Sequence, residues 1–465
     1  MIGGGLLWAV NGLVLAYFVV LNAAYFVMSL MAFRALRRYS ARLKSVDIQD
    51  FLASGGAPPV TLIVPAYNEE ETVVDVVRAL LTLNYPEYEI IVVNDGSEDS
   101  TVDRLKSAFD MGRAARMQVA EFETEPVRDV LRSRWHPNLW MIDKENGGKA
   151  DALNSGLAYC QTPLLCVMDA DTLLERDALF RIVRPFLEDQ RTVAAGGVVR
   201  VVNGCVVESG QVVDVRLPKS LLARMQVLEY LRAFLAGRMG WDALNATLVI
   251  SGAFGVFRRS VAVDVGGFRT DLVGEDVELV VRMHRHCRDL GTPYRIGFIP
   301  DPVAWTQAPE TFVGLGRQRD RWQRGLSEAV TLHREMMFDP AYGRIGMIAM
   351  PHFFFLEMWG PVIEVIGYLA FALTLALGLA SVPYVLAFFM VAIVLGVVLS
   401  VAAVGLEEIT FRRYPRFRDL LSLFMLAIIE NLGYRQIVTF WRVKGMVSFF
   451  ARKKSWGTAV RKGFS

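Results

Sequence analysis

The chain has 465 residues, 53% of them hydrophobic and 21% charged, with a mean hydropathy of +0.33. That length exceeds one ordinary core, and the mixture excludes both a purely soluble single domain and a purely membrane-embedded bundle. The formal charge of +2 sits in basic clusters beside apolar segments. There is no long basic stripe, so a nucleic-acid partner is not expected. Cys160, Cys166, Cys205 and Cys287 lack zinc-ligand spacing and read as free thiols of a reducing compartment.

Residues 1–33 carry no charge, and the apolar run 6–33 is longer than the ~20 residues a spanning helix needs. It lacks the basic start and small-residue cleavage site of a signal peptide. Arg34, Arg37, Arg38, Arg42 and Lys44 follow at once. The positive-inside rule then predicts an N-terminus outside and the next segment in the cytoplasm.

From about residue 57 to 345, strand and helix signals alternate. Short apolar runs at 60–64, 88–93, 139–142 and 164–168 predict four buried strands joined by helices, hence a parallel sheet covered on both faces. Asn68 is expected to cap a helix with Glu69, Glu70 and Glu71 in its first turn. Residues 198–207, with Asn203-Gly204 at the centre, predict a hairpin with a type I′ turn. Residues 220–238 predict a helix.

Ligands gather at the carboxyl ends of parallel strands, and Asp95, Lys149, Asp169 and Asp171 all fall at or just past such ends. Asp169-Ala170-Asp171 offers two carboxylates to a hard divalent cation, or Asp171 caps the helix expected after it. Asp95, in Asn94-Asp95-Gly96-Ser97, makes an Asx-turn or a hydrogen bond to a nucleobase. Lys149 follows two glycines at a helix start, where backbone N–H groups and an ammonium suit a diphosphate or a nucleobase carbonyl. In Gly274-Glu275-Asp276, Asp276 is either a helix cap or a general base for an acceptor hydroxyl. Gln318 and Trp322 are four apart, so they share a helix face that Arg321 adjoins. Together they suit a sugar and a diphosphate, or anchor a helix at the membrane interface.

Residues 365–406 also lack charge, enough for two helices turning near Gly378 and Pro383, before Arg412, Arg413, Arg416 and Arg418. The stretch 420–443 carries Glu430 and Arg435, which are expensive in lipid, so an interfacial or re-entrant helix, or a span packed against protein, is expected there. The tail 442–465 has seven basic residues and no acid, and is expected in the cytoplasm.

In this order the motifs resemble those of the processive membrane synthases of glycosyltransferase family 2, which make cellulose, chitin, hyaluronan and poly-N-acetylglucosamine. The resemblance rests on Asp95, on Asp169/Asp171, on Glu275/Asp276 and on Gln318/Arg321/Trp322 of the Gln-Arg-Asp-Arg-Trp run. Pro65-Ala-Tyr67-Asn-Glu69, residues 146–154 and Ser251-Gly252-Ala-Phe also fit it. Gly274 stands where the family usually has Thr or Ser.

The resemblance implies an α/β GT-A domain, a UDP-sugar donor and Mg²⁺ or Mn²⁺. The acceptor would be a polysaccharide or a lipid, and the anomeric carbon would invert. Pro65, Tyr67, Glu69, Asp95, Lys149, Asp169 and Arg321 would hold the nucleotide sugar, and Asp169 and Asp171 the metal. Asp276, with Glu275, would be catalytic. Gln318, Trp322, Ser251 and Gly252 would hold the acceptor, and Trp456 would belong to a gating segment. UDP-GlcNAc is favoured as donor, then UDP-glucose, with a secreted β-linked polysaccharide as product; the alternative is a non-processive enzyme making a glycolipid. The expected plan is a membrane helix with basic flank (1–45), a cytoplasmic GT-A domain (46–310), an interfacial region (311–345) and membrane helices with a basic tail (346–465). The enzyme would sit in a bacterial inner membrane. With so few clear spans, an export partner or a second copy would complete the channel.

Overall fold

The structure is a computed structural model that describes residues 2–43 and 56–453. Trp456 and the rest of the expected gating segment lie outside the described residues. The chain divides into two compact units. One is α/β, over 56–216 and Asn245–Ala308; the other is helical and takes the N-terminal helix, Leu217–Leu244 and the chain from Pro309 onward. The span 46–310 is therefore not one continuous unit.

The α/β unit holds twelve described strands in chain order: β1 Val60–Ala66, β2 Tyr88–Asp95, β3 Met111–Arg113, β4 Val127–Ser133, β5 Leu139–Lys144, β6 Leu164–Met168, β7 Thr172–Leu174, β8 Thr192–Val201, β9 Val206–Glu208, β10 Gln211–Asp214, β11 Phe254–Arg258 and β12 Arg295–Thr306. Ten of them form one sheet in the order β3-β4-β5-β2-β1-β6-β11-β8-β12-β7. The four expected strands are its parallel centre, with Val60 level with Tyr88 and Leu164, and Ile90 level with Leu139. Their continuous apolar sequences follow from burial on both faces. The sheet as a whole is mixed, which corrects the all-parallel expectation. β4 runs antiparallel to β5, and β11 runs antiparallel to both β6 and β8.

Three local expectations fail for identifiable reasons. Asn68 does not cap a helix. It adopts φ 54° and bonds the loop after β2, through Asn68 N–H to Ser97 Oγ (3.0 Å) and Glu98 N–H to Asn68 Oδ1 (2.8 Å), and the helix begins at Val73. Asp171 leads into β7, not a helix; the next helix is Ala178–Glu188. The hairpin is β9–β10, closed by Ser209 and Gly210, both at positive φ as a type I′ turn needs. Asn203 spends its amide on both backbone groups of Ala308 instead.

The core beneath the strand ends packs the helix Lys149–Tyr159 against β1 and β2, through Ile63, Ile91, Leu153 and Leu157 among others. Gly156 lets the helix approach, because a Cβ there would lie 2.4 Å from Ile63 Cγ2.

In the helical unit, Gly5–Ser40 and Val382–Thr410 are long and apolar enough to cross a membrane. Ile345–Met358 with Gly360–Ala376 (bent 43°), and Phe417–Ile429 with Tyr434–Phe450 (bent 62°), qualify only as broken pairs. The second break falls in the stretch where an interfacial or re-entrant element was expected. The N-terminal helix packs Val14, Phe18 and Leu21 against Tyr384 and Phe388. Asn11 donates to Thr374 Oγ1 at 2.7 Å inside the same bundle.

Gly156→Val should force the helix Lys149–Tyr159 off β1, at a cost of about 1–3 kcal/mol from overpacking. Hydrogen-exchange mass spectrometry on the full chain should show faster exchange confined to β1, β2 and that helix. Unchanged protection there would refute this packing.

Candidate active site

β2 delivers Asp95 and β5 delivers Lys144 at the same level, because the two residues are register partners in adjacent parallel strands. The Lys144 side chain is fully buried and its ammonium lies 2.9 Å from Asp95 and 2.5 Å from Asp151. Asp95 also accepts N–H bonds from Gly147 (Oδ1, 3.0 Å) and Gly148 (Oδ2, 2.8 Å). Its carboxylate thus shapes the loop before Lys149. Gly148, at φ 90°, turns the chain into the helix that Lys149 opens.

Lys149 is the meeting point of three motifs. Its Nζ lies 2.6 Å from Asp169 Oδ1, past the end of β6, and 3.3 Å from Glu275 Oε1, at the start of the helix Glu275–Asp289. Asp276, next along, accepts the Gly252 N–H at 2.8 Å. A Cβ on Gly252 would lie 2.9 Å from Lys149 Nζ and 3.2 Å from Asp276 Oδ2, so glycine is what lets the two come together over it. Burial alone would lower the Lys149 pKa, but Asp169, Glu275 and Asp276 outweigh it and hold the ammonium above its usual range. Burial pushes the Glu275 carboxyl up to about 7, against Lys149 and with Asp276. Glu275 is buried, whereas Asp276 is partly open to solvent.

Asp169 keeps about a third of its side chain exposed and Asp171 is nearly buried. Carboxylate oxygens at a strand end are the donors a hard divalent cation takes. Among the described residues no group of three or more His, Cys, Asp or Glu forms a closed metal cage. A cation here would complete its shell from water or a substrate phosphate.

Pro65, near the end of β1, is part-buried, and Tyr67, on the loop that follows, is exposed. Glu69 is buried: its Oε2 accepts from the Thr72 hydroxyl (2.8 Å) and its N–H donates to Thr101 Oγ1 (2.9 Å). Glu69 therefore fastens that loop.

In the helical unit, Gln318, Arg321 and Trp322 lie on the helix Phe312–Leu332, whose Thr311 cap accepts from Gly314 N–H at 3.1 Å. Gln318 and Arg321 are part-buried and Trp322 is 38% exposed. The α/β unit thus gathers Asp95, Lys149, Asp169, Ser251, Gly252, Glu275 and Asp276, and the helical unit holds Gln318, Arg321 and Trp322 on one helix.

Sequence reasoning missed Lys144, Asp151 and Arg319. Lys144 becomes visible only through the β2–β5 register, and Asp151, on the helix Lys149–Tyr159, only through its ion pair with Lys144. Arg319 lies inside a motif already noticed, and helical spacing places it three residues from Trp322.

The raised Glu275 pKa has a defined consequence for stability. Glutamate in an unfolded chain ionises near ~4.3, so the fold binds more protons than the unfolded chain between there and about 7. The stability from this group is fully present below ~4.3 and is lost as pH rises through about 7. Glu275→Gln should flatten that part of the profile, measured as thermal unfolding midpoints in detergent at about pH 5.5 and about pH 8. Identical slopes in wild type and variant would contradict it.

The glycosyl transferase family 2 model matches residues 61–263, and the model of glycosyl transferase family group 2 matches residues 164–401, just over half of the chain. Among curated proteins, poly-beta-1,6-N-acetyl-D-glucosamine synthase of Staphylococcus aureus (strain COL) is 28% identical over 319 residues, covering 68% of this chain and 65% of that protein. The protein of the same name from Staphylococcus epidermidis is 29% identical over 271 residues, 58% of this chain and 55% of that one. The chain thus matches less than two thirds of these relatives' length. Among solved structures, the mannosyltransferase PcManGT from Pyrobaculum calidifontis, in complex with GDP-Man and Mn²⁺, aligns with a TM-score of 0.51 at 20% identity, over 91% of this chain and 99% of that one. That likeness supports the GT-A fold, and with the family matches it makes the chain a family 2 glycosyltransferase.

Proposed function

We propose that the enzyme transfers GlcNAc from UDP-GlcNAc to the end of a growing β-linked polysaccharide at a bacterial inner membrane, and passes the product across it. UDP-glucose is the next donor in line. The convergence of Asp169, Glu275 and Asp276 around the Lys149 ammonium carries the transferase part of this reading. The names of the staphylococcal relatives support the sugar and the polymer. The apolar helices and the basic residues after the first of them support a membrane enzyme with its α/β unit in the cytoplasm.

In this reading Asp276 takes the proton of the acceptor hydroxyl as its oxygen attacks the anomeric carbon. The bond from that carbon to the diphosphate breaks with inversion, and UDP leaves with the electron pair. Lys149 meets the diphosphate, and Glu275 holds Lys149 from below. Asp95 acts through the loop 145–148, which it pins by Gly147 and Gly148. Asp169 and Asp171 would hold Mg²⁺ or Mn²⁺, which neutralises charge building on the leaving group. Within the α/β unit, Pro65 and Tyr67 would serve the donor and Ser251 and Gly252 the acceptor; within the helical unit, Arg321 would serve a diphosphate and Gln318 and Trp322 a sugar.

Purified full-length protein with radiolabelled UDP-sugars and Mg²⁺ or Mn²⁺ tests this. UDP-GlcNAc should give a high-mass β-linked product; a one-sugar, organic-soluble glycolipid would replace the processive reading. Asp276→Asn should cut transfer by about 10²- to 10⁴-fold, the usual worth of a general base. Transfer at wild-type rates in that variant would remove Asp276 from the chemistry. Trp322→Ala should lose polymer but keep donor hydrolysis.

A further inference from the structure

We propose that Arg319 is the positioning residue of the acceptor end, fixing both Gln318 and Trp322; this rests on the acceptor role proposed for those two residues. Arg319 is 2% exposed, and its guanidinium is used in three directions. Nη1 donates to Gln318 Oε1 at 2.9 Å, and Nη2 donates to Glu229 Oε2 at 2.6 Å. The guanidinium carbon stands 4.2 Å from the centre of the Trp322 ring. Glu229, on the helix Leu221–Tyr230, is itself held by the Tyr434 hydroxyl at 2.8 Å. The anchor of Arg319 is thus fixed from a third helix.

Each contact has a consequence for a ligand. Arginine can only donate, so the Gln318 amide must turn its oxygen toward Arg319. Its NH₂ is thereby turned toward the Tyr230 side chain, with which Gln318 also hydrogen-bonds, so the amide is fixed at both ends. Trp322 rests on the flat guanidinium, with the rings of Phe234 and Tyr230 at 6.0 and 6.3 Å beside it. One indole face is therefore set, and the exposed remainder is presented in a fixed plane. Lysine would keep the charge beside Glu229 but would lose the forked bond and the stacking. Burying a guanidinium is costly. Here the cost fixes the two side chains that meet the sugar.

The test uses full-length protein in lipid nanodiscs. In protein labelled with 5-fluorotryptophan, the Trp322 resonance is assigned from Trp322→Phe. Arg319→Lys should shift or broaden that resonance while leaving most of the others in place. With UDP-GlcNAc as probe, acceptor-free hydrolysis should stay within about twofold, while kcat/KM for transfer to a β-linked GlcNAc oligomer falls by roughly 10- to 100-fold. Glu229→Gln should give the same split. Arg319→Lys added to a Gln318→Ala/Trp322→Ala variant should cost no further transfer, since it acts through those two residues. An unmoved Trp322 resonance, equal losses of hydrolysis and transfer, or a further loss in that triple variant would each overturn the proposal. If wild type transfers from no UDP-sugar, the functional reading fails, and the fluorine spectra still decide the role of Arg319.

Discussion

The Lys149 ammonium is the point on which the α/β unit depends. Asp169 arrives from the end of β6 and Glu275 from a helix start more than a hundred residues later, and both lie within ion-pair distance of it. Without that cation the fold would press carboxylates together at one strand edge, and their mutual repulsion would open the site. With it, Glu275 can be buried and Asp276 left at the surface. On the proposed reading the same ammonium meets the donor diphosphate, and would trade protein carboxylates for phosphate oxygens as it does so.

Much of this is legible in the sequence alone. The four central strands announced themselves as short apolar runs, and the candidate acids sat at their ends, as the parallel-sheet rule requires. The missing part is what ladder register and long-range pairing decide. Asp95 reads as a free ligand until β5 is placed beside β2 with Lys144 level with it. Asn203-Gly204 carries a fair hairpin signal, but the Asn203 amide finds Ala308, 105 residues away, and the hairpin forms at Ser209-Gly210. Residues 220–238 read as one more helix of the α/β alternation, yet Arg232 within them pairs with Glu430, and Leu217–Leu244 belongs to the helical unit. Local patterns specify elements; distant partners specify which group each element joins.

Glu430 illustrates the same point for the apolar region. Its presence in the stretch 420–443 argued against a plain span, since an unpaired carboxylate in lipid is prohibitive. In the structure it is fully buried, 2.5 Å from Arg232 and bonded by Ser400, at the break between Phe417–Ile429 and Tyr434–Phe450. Nearby, Arg442 bonds Glu357 at 3.0 Å and Gln323 Oε1 at 2.8 Å, and Thr439 donates to Glu364 at 2.9 Å. Removing one member of such a pair leaves a buried charge, so these contacts hold the broken helices in one arrangement even where they add little net stability.

The Gln-Arg-Asp-Arg-Trp run can be understood from helix geometry alone. Positions 316, 320, 323 and 327 share one face of the helix Phe312–Leu332, and all four meet the helix Tyr434–Phe450. Gly316 clears room for Trp441, Asp320 accepts from Ser448 at 2.8 Å, Gln323 receives Arg442, and Ser327 lies against Met446. Gly445 answers from the other side, since a Cβ there would strike Asp320 and Gln323. Positions 318, 319 and 322 point elsewhere, toward Glu229, Tyr230 and Phe234. Asp320 therefore interrupts the motif because it belongs to a different face. One face anchors the helix to its neighbour, and the other, thereby held still, carries the amide and the indole. A substitution at Asp320 would act on the acceptor end only by loosening that anchor, whereas one at Arg319 would act on it directly.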